Sequence, residues 1–331
     1  MVMNATLFSR SGPGELASLD NATQWLGSEP LTADALKGRV VLVGFWTFSC
    51  INWLRTLPYL RAWGDKYREQ GLVVIGVHTP EFEFEHDLDN VRRAADQMRV
   101  TYPIVIDNDY AIWQAFSNSY WPALYFVDAR GQVRHHQFGE GDYEESEAVL
   151  KKLLAEAGAS DLGSDTVEVD INGYETAADW LNLKSPENYL GYDRTSGFAS
   201  PDRVPFGSPG QYGAPARLRL NEWALTGEWT VSDEFVLQNG REGRIITRFH
   251  ARDLNVVMGA SSRADTIDFR VLVDGQPPAG SHGVDVDAGG NGSVSESRLY
   301  QLIRQPGDIL DRTVEIRFLS PGVRAYSMTF G

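Results

Sequence analysis

Residues 40–60 constrain the fold more than any other segment, because they join a strand pattern to a helix pattern and contain the only cysteine of the chain. The apolar run Val40 to Trp46 predicts a buried strand, and Cys50 then opens a helical pattern. Backbone amides at the start of a helix have no intrahelical partner, and with the helix dipole they favour a thiolate. Three residues on, where a redox pair places its second cysteine, the chain has Trp53. The segment predicts a reactive thiol that cannot form an internal disulfide.

Strand and helix patterns alternate along the first half of the chain, which predicts an α/β domain. Central parallel strands are buried on both faces, and the predicted strand Leu72 to His78 is accordingly apolar almost throughout. A hairpin pattern and a last helix complete this part. The predicted strands lie at 40–46, 72–78, 102–106, 123–127 and 133–138, and the predicted helices at 51–70, 86–98, 110–116 and 146–157.

The composition changes after Ala159. Residues 160–215 are rich in Gly, Ser, Asp and Pro, and short alternating strands without helices follow them. Many short strands separated by turn signals predict an all-β sandwich of the jelly-roll type. We therefore expect a first domain at 1–160, a linker at 161–185 and a β-sandwich domain at 186–331. The strands of the second domain are predicted at 216–220, 229–231, 235–237, 244–250, 255–258, 267–273, 297–303, 313–318 and 325–330.

Several stretches resemble one protein family. Phe45-Trp46-Thr47-Phe48-Ser49-Cys50 is similar to the Trp-x-x-x-Cys opening of thioredoxin-like redoxins of the TlpA and ResA type, and residues 74–82, 102–107 and 121–128 resemble the later strands of that family. The chain as a whole resembles the soluble portion of DipZ-type proteins, in which a redoxin domain precedes a carbohydrate-binding-module-like β-domain. The resemblance implies an α/β thioredoxin fold. It does not imply the paired-thiol mechanism, because the family's usual second cysteine is replaced by Trp53.

The predicted chemistry depends on Cys50. Three features favour a functional thiol: its place at the strand-to-helix junction, the nearby hydroxyls of Thr47 and Ser49, which can hydrogen-bond a thiolate, and the positive charge of Arg55. A lone cysteine that serves only as a small buried apolar residue is the alternative. A thiolate would attack a disulfide or a peroxide, and an external thiol reductant would then have to release the product. The sequence therefore predicts a single-cysteine thiol oxidoreductase without a cofactor.

The resemblance also places a cis-proline opposite the active-site cysteine. Trp121-Pro122, just before the strand predicted at 123–127, fits that position. In the family the backbone before this proline pairs with an incoming peptide, which implies that a peptide disulfide would dock beside Pro122. The sequence alone leaves an ordinary trans turn open, because cis X-Pro bonds are a minority. Trp53 and Trp121 either shape the substrate contact or pack in the core, where Trp46 is expected.

Two other functions stay open. Thr47 precedes Cys50 by three residues, as a threonine precedes the peroxidatic cysteine of peroxiredoxins, although the proline of that motif is replaced by Val43. Because of this spacing, a one-cysteine peroxidase remains an alternative function. In the competing class, the redoxin domain has lost catalysis and serves as a peptide- or glycan-binding module. Aromatic residues of the second half that are candidates for stacking on sugar rings are Trp180, Tyr189, Tyr192, Trp223 and Trp229.

Charge and composition exclude several classes of function. The net charge of −15 argues against nucleic acid as a partner, because phosphate binding requires a basic face. No stretch approaches the roughly 20 consecutive apolar residues of a membrane span. The start, Met1 to Gly12, has no basic-then-apolar signal pattern, so a cytoplasmic location is the expectation.

No metal site is predicted. The residues His78, Glu81, Glu83, Glu85 and His86 do not guarantee convergent ligands, and strand-end carboxylates are usually solvated. The segment Asp285 to Glu296 partly matches a calcium loop, but Gly289 stands where Asp or Asn is expected. A β-hairpin turned by Gly-Asn-Gly explains the same residues, and calcium binding there is left open.

Overall fold

The computed structural model describes residues 15–202, 204–262 and 265–331. The chain divides into two compact units between Ile171 and Asn172. The segment Met1 to Gly12, on which the expectation about a signal pattern rests, lies outside the described residues. The predicted linker, 161–185, spans the division between the units. The boundaries predicted at 160 and 186 stay a prediction.

The first unit is built on a mixed six-stranded sheet in the order β1-β4-β3-β2-β5-β6. The strands β2, β3 and β4 are parallel to one another, whereas β1 pairs antiparallel with β4, and β5 and β6 continue antiparallel from β2. This order places β2 and β3 at the centre of the sheet. The strands are β1 Gln24–Leu26, β2 Val40–Trp46, β3 Leu72–His78, β4 Ile104–Ile106, β5 Ala123–Val127 and β6 Val133–Phe138.

Helices connect these strands in the order that the sequence predicts. They are α1 Ile51–Tyr67, α2 Leu88–Gln97, α3 Ala111–Ala115 and α4 Tyr143–Glu156, with short 3₁₀ helices at Glu15–Asn21 and Glu83–His86. The predicted bounds of β2, β3, β5 and β6 agree with the structure, and the thioredoxin-like fold is confirmed. Helix α1 ends three residues earlier than predicted, because a turn leads to Gly71, whose φ of +99° suits glycine. Strand β1 was not predicted, since three residues give no readable alternation.

The centre of the sheet lies in a dense apolar core. Every residue of β2 is buried, and one face of that strand packs with residues of β3, β4 and β5. A strand that is buried on both faces needs apolar residues at every position, which explains its uninterrupted run. The core on this face includes Val41, Val43, Phe45, Ile75, Val77, Val105 and Tyr125.

The second unit is all β, as predicted, and its strands form one antiparallel hydrogen-bonded network. The long strand β10 connects two branches of it: Val236 and Leu237 pair with β16, whereas residues 243–249 pair with β15. Both branches contribute side chains to one core. The strands are β7 Asn188–Tyr189, β8 Pro209–Tyr212, β9 Trp223–Val231, β10 Val236–Phe249, β11 Asp253–Ala260, β12 Ile267–Val273, β13 Asn291–Val294, β14 Arg298–Arg304, β15 Arg312–Phe318 and β16 Val323–Phe330.

One predicted strand of the second unit is wrong. Residues 216–220 alternate apolar and charged side chains, but they form bends and turns rather than a strand. Asn221 follows with a φ of +67°, a left-handed conformation that ends an extended segment. Across the described ranges 15–202, 204–262 and 265–331, no helix has both the length and the apolar composition needed to cross a membrane.

Candidate active site

Cys50 lies at the junction that the sequence indicates. It is the N-cap residue of α1, with an extended backbone, and its amide donates to the Thr47 carbonyl at 3.3 Å. The residue is half-buried. Its side chain therefore projects from the start of a helix, at the carboxyl ends of the parallel strands β2 and β3, the edge at which α/β proteins place their sites.

The Trp121–Pro122 loop lies beside the sulfur. The peptide bond between these two residues is cis. The Cys50 thiol donates to the Trp121 carbonyl oxygen at an Sγ–O distance of 3.6 Å. The Trp121 indole in turn donates to the Thr79 carbonyl at 3.0 Å and packs on the ring of Trp113. The structure thus brings Cys50, Trp121 and Pro122 together, and it holds Trp121 by its ring.

Trp53 occupies the core. It is 1% exposed, and its ring stacks on Trp46 with a centroid distance of 4.2 Å and an interplanar angle of 23°. Both indoles are therefore packing residues in this structure, as expected for Trp46. The sequence allows either substrate contact or core packing for Trp53, and the structure shows core packing.

Arg55 does not offer an uncompensated charge to the sulfur. Its side chain is 1% exposed, and Nη1 forms an ion pair with Glu140 Oε1 at 2.9 Å. The carboxylate, itself 4% exposed, offsets the positive charge that the sequence assigns to the thiol. Glu140 lies between Gly139 and Gly141, a pattern that is typical of a solvated loop. No periodic pattern signals that this loop folds inward.

Glu85 is the functional candidate that sequence reasoning did not single out. It is fully buried, and its Oε1 accepts a hydrogen bond of 2.5 Å from the Ser49 hydroxyl. Its Oε2 accepts from the backbone amides of Glu81 and Phe82 at 2.6 Å and 3.0 Å. This carboxyl group therefore joins the turn before α1 to the loop after β3.

The hydroxyls of Thr47 and Ser49, which the sequence suggests as hydrogen-bond donors to a thiolate, have other partners in the structure. Ser49 donates to Glu85, and the Thr47 hydroxyl lies 3.5 Å from Nε2 of His78. Both residues are buried, and both hydroxyls are engaged away from the sulfur. Both hydrogen bonds hold the turn that carries Cys50.

Burial dominates the electrostatics behind this turn. It raises the pKa of Glu85 to about 7, although hydrogen bonds from Ser49 and Thr47 act in the opposite direction. Burial also lowers the pKa of His78 to about 3, with a smaller contribution from His86. His78 is therefore neutral at neutral pH, and Glu85 titrates close to it.

The described residues contain no group of three or more His, Cys, Asp or Glu side chains that could hold a metal ion. In the segment with the partial calcium-loop pattern, Asp285 pairs with Arg298 at 2.8 Å and accepts from the Gln301 amide at 2.8 Å. Asp287 accepts from Asn291, which begins β13. These carboxylates stabilise a turn.

Comparison with known proteins matches both halves of the chain to family models. Residues 17–136 match the model of the AhpC/TSA family, and residues 185–331 match that of the thioredoxin-like C-terminal domain. The thiol-disulfide oxidoreductase YkuV of Bacillus subtilis is 33% identical over 141 residues, which cover 43% of this chain and 95% of YkuV. The chain belongs to the thioredoxin-like redoxin family.

One relative is similar to nearly the whole chain. Protein DipZ of Mycobacterium tuberculosis is 33% identical over 330 residues, which cover 96% of this chain and 43% of DipZ. The chain therefore spans less than half of the length of that relative. A solution structure of a thioredoxin-like protein in the oxidized form is 35% identical and covers 40% of this chain and 90% of its own, with a TM-score of 0.38.

Proposed function

We propose that this redoxin exchanges thiols and disulfides through Cys50 alone. The observation that carries the proposal is the position of Sγ: at the first residue before α1, half-buried, and 3.6 Å from the Trp121 carbonyl. Amides of the first helical turn lack intrahelical acceptors and stabilise a thiolate at that place. The relative YkuV, named a thiol-disulfide oxidoreductase, supports the same reaction class.

The reaction proceeds in two exchanges. The Cys50 thiolate attacks one sulfur of a substrate disulfide, forms a mixed disulfide with that half and releases the other half as a thiolate. An external thiolate then attacks the substrate sulfur of the mixed disulfide. This second step forms a new disulfide between the substrate and the reductant and returns Cys50 as a thiolate. Because Trp53 replaces the second cysteine, the chain itself cannot carry out the second step.

Residues around Cys50 position its sulfur for the reaction. The Trp121 carbonyl accepts a hydrogen bond from the protonated thiol, so this contact holds the sulfur before deprotonation. Backbone groups of the same loop are those that an extended peptide would meet when it approaches Sγ. Glu85 holds the turn through Ser49, which limits where the sulfur can move.

Trapping of the mixed disulfide tests this proposal. The reduced protein is mixed with glutathione disulfide, and the intact mass is followed with and without added dithiothreitol. We expect one glutathione per chain, formed faster than with free cysteine and released only after the external thiol is added. The variant Cys50→Ser should remain unmodified. A Cys50 that reacts no faster than a free thiol at neutral pH contradicts the proposal.

A matched pair of tryptophan variants tests the resolution step. Trp53→Cys restores a cysteine three residues after Cys50, so the mixed disulfide should be released without dithiothreitol. Trp180→Cys adds a thiol at a site that is 58% exposed and serves as the control. Equal release from both variants would mean that the added thiol acts between molecules and would argue against a productive geometry at Cys50.

Peroxide is the other substrate class proposed for Cys50. The thiolate would take one oxygen from hydrogen peroxide, leave hydroxide and become a sulfenic acid. One external thiol then forms a mixed disulfide with Cys50 and releases water, and a second external thiol releases Cys50 as a thiol and leaves the disulfide of the reductant. A mass gain of one oxygen after mild peroxide, reversed by dithiothreitol, supports this reaction. The orientation of Thr47 toward His78 gives no support to a peroxiredoxin-type site.

A redox-inactive binding module is the second candidate function. The observation that favours it is a pair of stacked exposed rings in the second unit, Tyr192 and Phe206, with centroids 5.1 Å apart and an interplanar angle of 14°. Exposed aromatic faces suit stacking on apolar faces of sugars. Glycan-array binding that is lost in Tyr192→Ala and in Phe206→Ala, together with an inert Cys50, would favour this candidate.

A further inference from the structure

A cavity of ≈ 380 Å³ in the second unit is lined mainly by arginines. Three guanidinium groups and one carboxylate surround it, and the remaining lining residues are leucines. The chain carries a net charge of −15, so a cavity with excess positive charge departs from the rest of the protein. The lining residues are Arg217, Leu218, Arg219, Leu220, Arg248 and Asp311.

Backbone contacts and a buried leucine anchor the segment that carries Arg217 and Arg219. Leu218 is 5% exposed and anchors its segment, while the neighbouring Arg217 and Arg219 are exposed. The Asn221 amide donates to the Arg248 carbonyl at 2.7 Å, which joins the segment to strand β10. The alternation that suggested a strand from the sequence thus serves to present two guanidinium groups on one side of an anchored turn.

Positive charge exceeds negative charge at this cavity. Asp311 accepts from Arg248 Nη2 at 3.2 Å and from His250 Nδ1 at 2.7 Å, so its single charge is already shared. Arg219 lies 3.9 Å from Glu222, a long ion pair whose arginine side chain is 90% exposed. Within the part of the chain that the structure describes, Arg217 has no hydrogen-bond or ion-pair partner. Two guanidinium groups therefore keep most of their donors for a ligand.

We propose that this arginine pocket binds a phosphate or sulfate ester. Guanidinium groups donate in a planar fork that matches two oxygens of an oxyanion, and a tetrahedral dianion has enough oxygens for more than one fork. The cavity volume falls within the range of small-molecule pockets, so it accommodates the organic group as well as the anion. Leu220, 37% exposed, offers that group an apolar contact.

Titration of the full chain tests the pocket. Inorganic phosphate, inorganic sulfate and phenyl phosphate are added at low ionic strength and followed by calorimetry, with sodium chloride as the reference salt. We expect saturable binding that weakens as salt is added, and tighter binding of phenyl phosphate than of inorganic phosphate. Tighter binding of the ester identifies an organic ligand, whereas equal binding identifies the free anion as the ligand. Binding no stronger than that of chloride overturns the proposal.

Charge-matched variants assign the binding to the pocket. Arg217→Gln and Arg219→Gln combined should weaken phenyl phosphate binding at least about tenfold, since charge-assisted hydrogen bonds are the stronger ones. Arg241→Gln removes an exposed arginine from the same strand as Arg248 but outside the cavity, and should leave binding unchanged. An equal loss in both would mean that general surface charge binds the anion. Cys50→Ser should bind normally, which separates this site from the proposed redox function.

Discussion

The charged residues of the Cys50 site are buried, whereas two arginines of the arginine pocket are exposed. At the Cys50 site, Arg55 and Glu140 are buried and paired with each other, and Glu85 is buried with a pKa raised to about 7. At the arginine pocket, Arg217 and Arg219 stay in solvent. The difference teaches that charged residues near Cys50 are buried and satisfied within the protein, whereas the two exposed arginines of the pocket keep donors for the anion proposed above. Four tests sharpen this contrast.

The largest effect is expected from the tryptophan that replaces the second cysteine. Trp53→Ala should lower the free energy of unfolding by about 3–5 kcal/mol, because it leaves a cavity beside Trp46. Trp180→Ala in the second unit should change it by about 0.5 kcal/mol or less, since that ring is largely exposed. Urea unfolding of both variants measures the difference. A small cost for Trp53→Ala would mean that the helix start is loosely packed and would weaken the contrast.

The ion pair behind the site comes next. Arg55→Met leaves the Glu140 carboxylate buried and should cost about 3 kcal/mol or more of unfolding free energy. The double variant Arg55→Met and Glu140→Leu should recover most of this loss, because no buried charge remains. A double-mutant cycle by chemical denaturation gives the coupling. If each single substitution lowers the free energy of unfolding by less than about 1 kcal/mol, water reaches the ion pair and it is not buried.

The buried carboxyl group predicts a dependence of stability on pH. The pKa of Glu85 in the folded chain is raised above its unfolded value, so its contribution is fully present below about pH 4.5 and is lost as pH rises toward 7. Between pH 5 and pH 7 the loss amounts to about 2 kcal/mol. The difference in unfolding free energy between wild type and Glu85→Gln should show this slope, since Gln does not titrate. A flat difference would contradict a raised pKa.

His78 contributes a pH dependence of stability that opposes that of Glu85. Its pKa is lowered in the folded chain, so its contribution is present above about pH 6.5 and is lost as pH falls toward 3. The slopes of the two groups oppose each other between about pH 4.5 and pH 6.5, which hides both in the wild type. The unfolding free energy of Glu85→Gln at each pH must therefore be subtracted from that of the wild type to give the contribution of the Glu85 carboxyl group.

The smallest effect is expected at the arginine pocket. Arg248→Met breaks the pair with Asp311, whose side chain is 40% exposed, and should cost about 0.2–1 kcal/mol. The same denaturation assay measures it. A loss above about 2 kcal/mol would make Arg248 a structural residue and would remove the difference between the two sites.

Local sequence patterns predict much of the first unit because its site is assembled at strand ends. The run Val40 to Trp46 and the residues after it specify a buried strand, a turn and a helix, so they place Cys50 at a helix start without any long-range information. The bounds of β2 agree with the prediction for the same reason. Trp121 and Pro122 are placed by the family resemblance, and periodicity gives no signal for them.

The partners of these residues depend on contacts far along the chain. Arg55 and Glu140 are 85 residues apart, and Ser49 and Glu85 are 36 apart. A solvated loop acid and a buried one look alike in sequence, because burial depends on how the loop folds over its neighbours. The hydroxyls of Thr47 and Ser49 show the same dependence, because they are close in sequence to Cys50 but hydrogen-bond residues farther along the chain.

The sequence by itself determined an α/β first half, a β-rich second half and a lone cysteine at a helix start, because these follow from residue order and periodicity. The thioredoxin-like fold followed from the family resemblance. Only the tertiary structure decided that Trp53 is buried, that Arg55 is neutralised by Glu140 and that three arginines meet at one cavity. Each of these depends on distant segments packing together, and packing sets both the exposure of a side chain and the local cost of its charge.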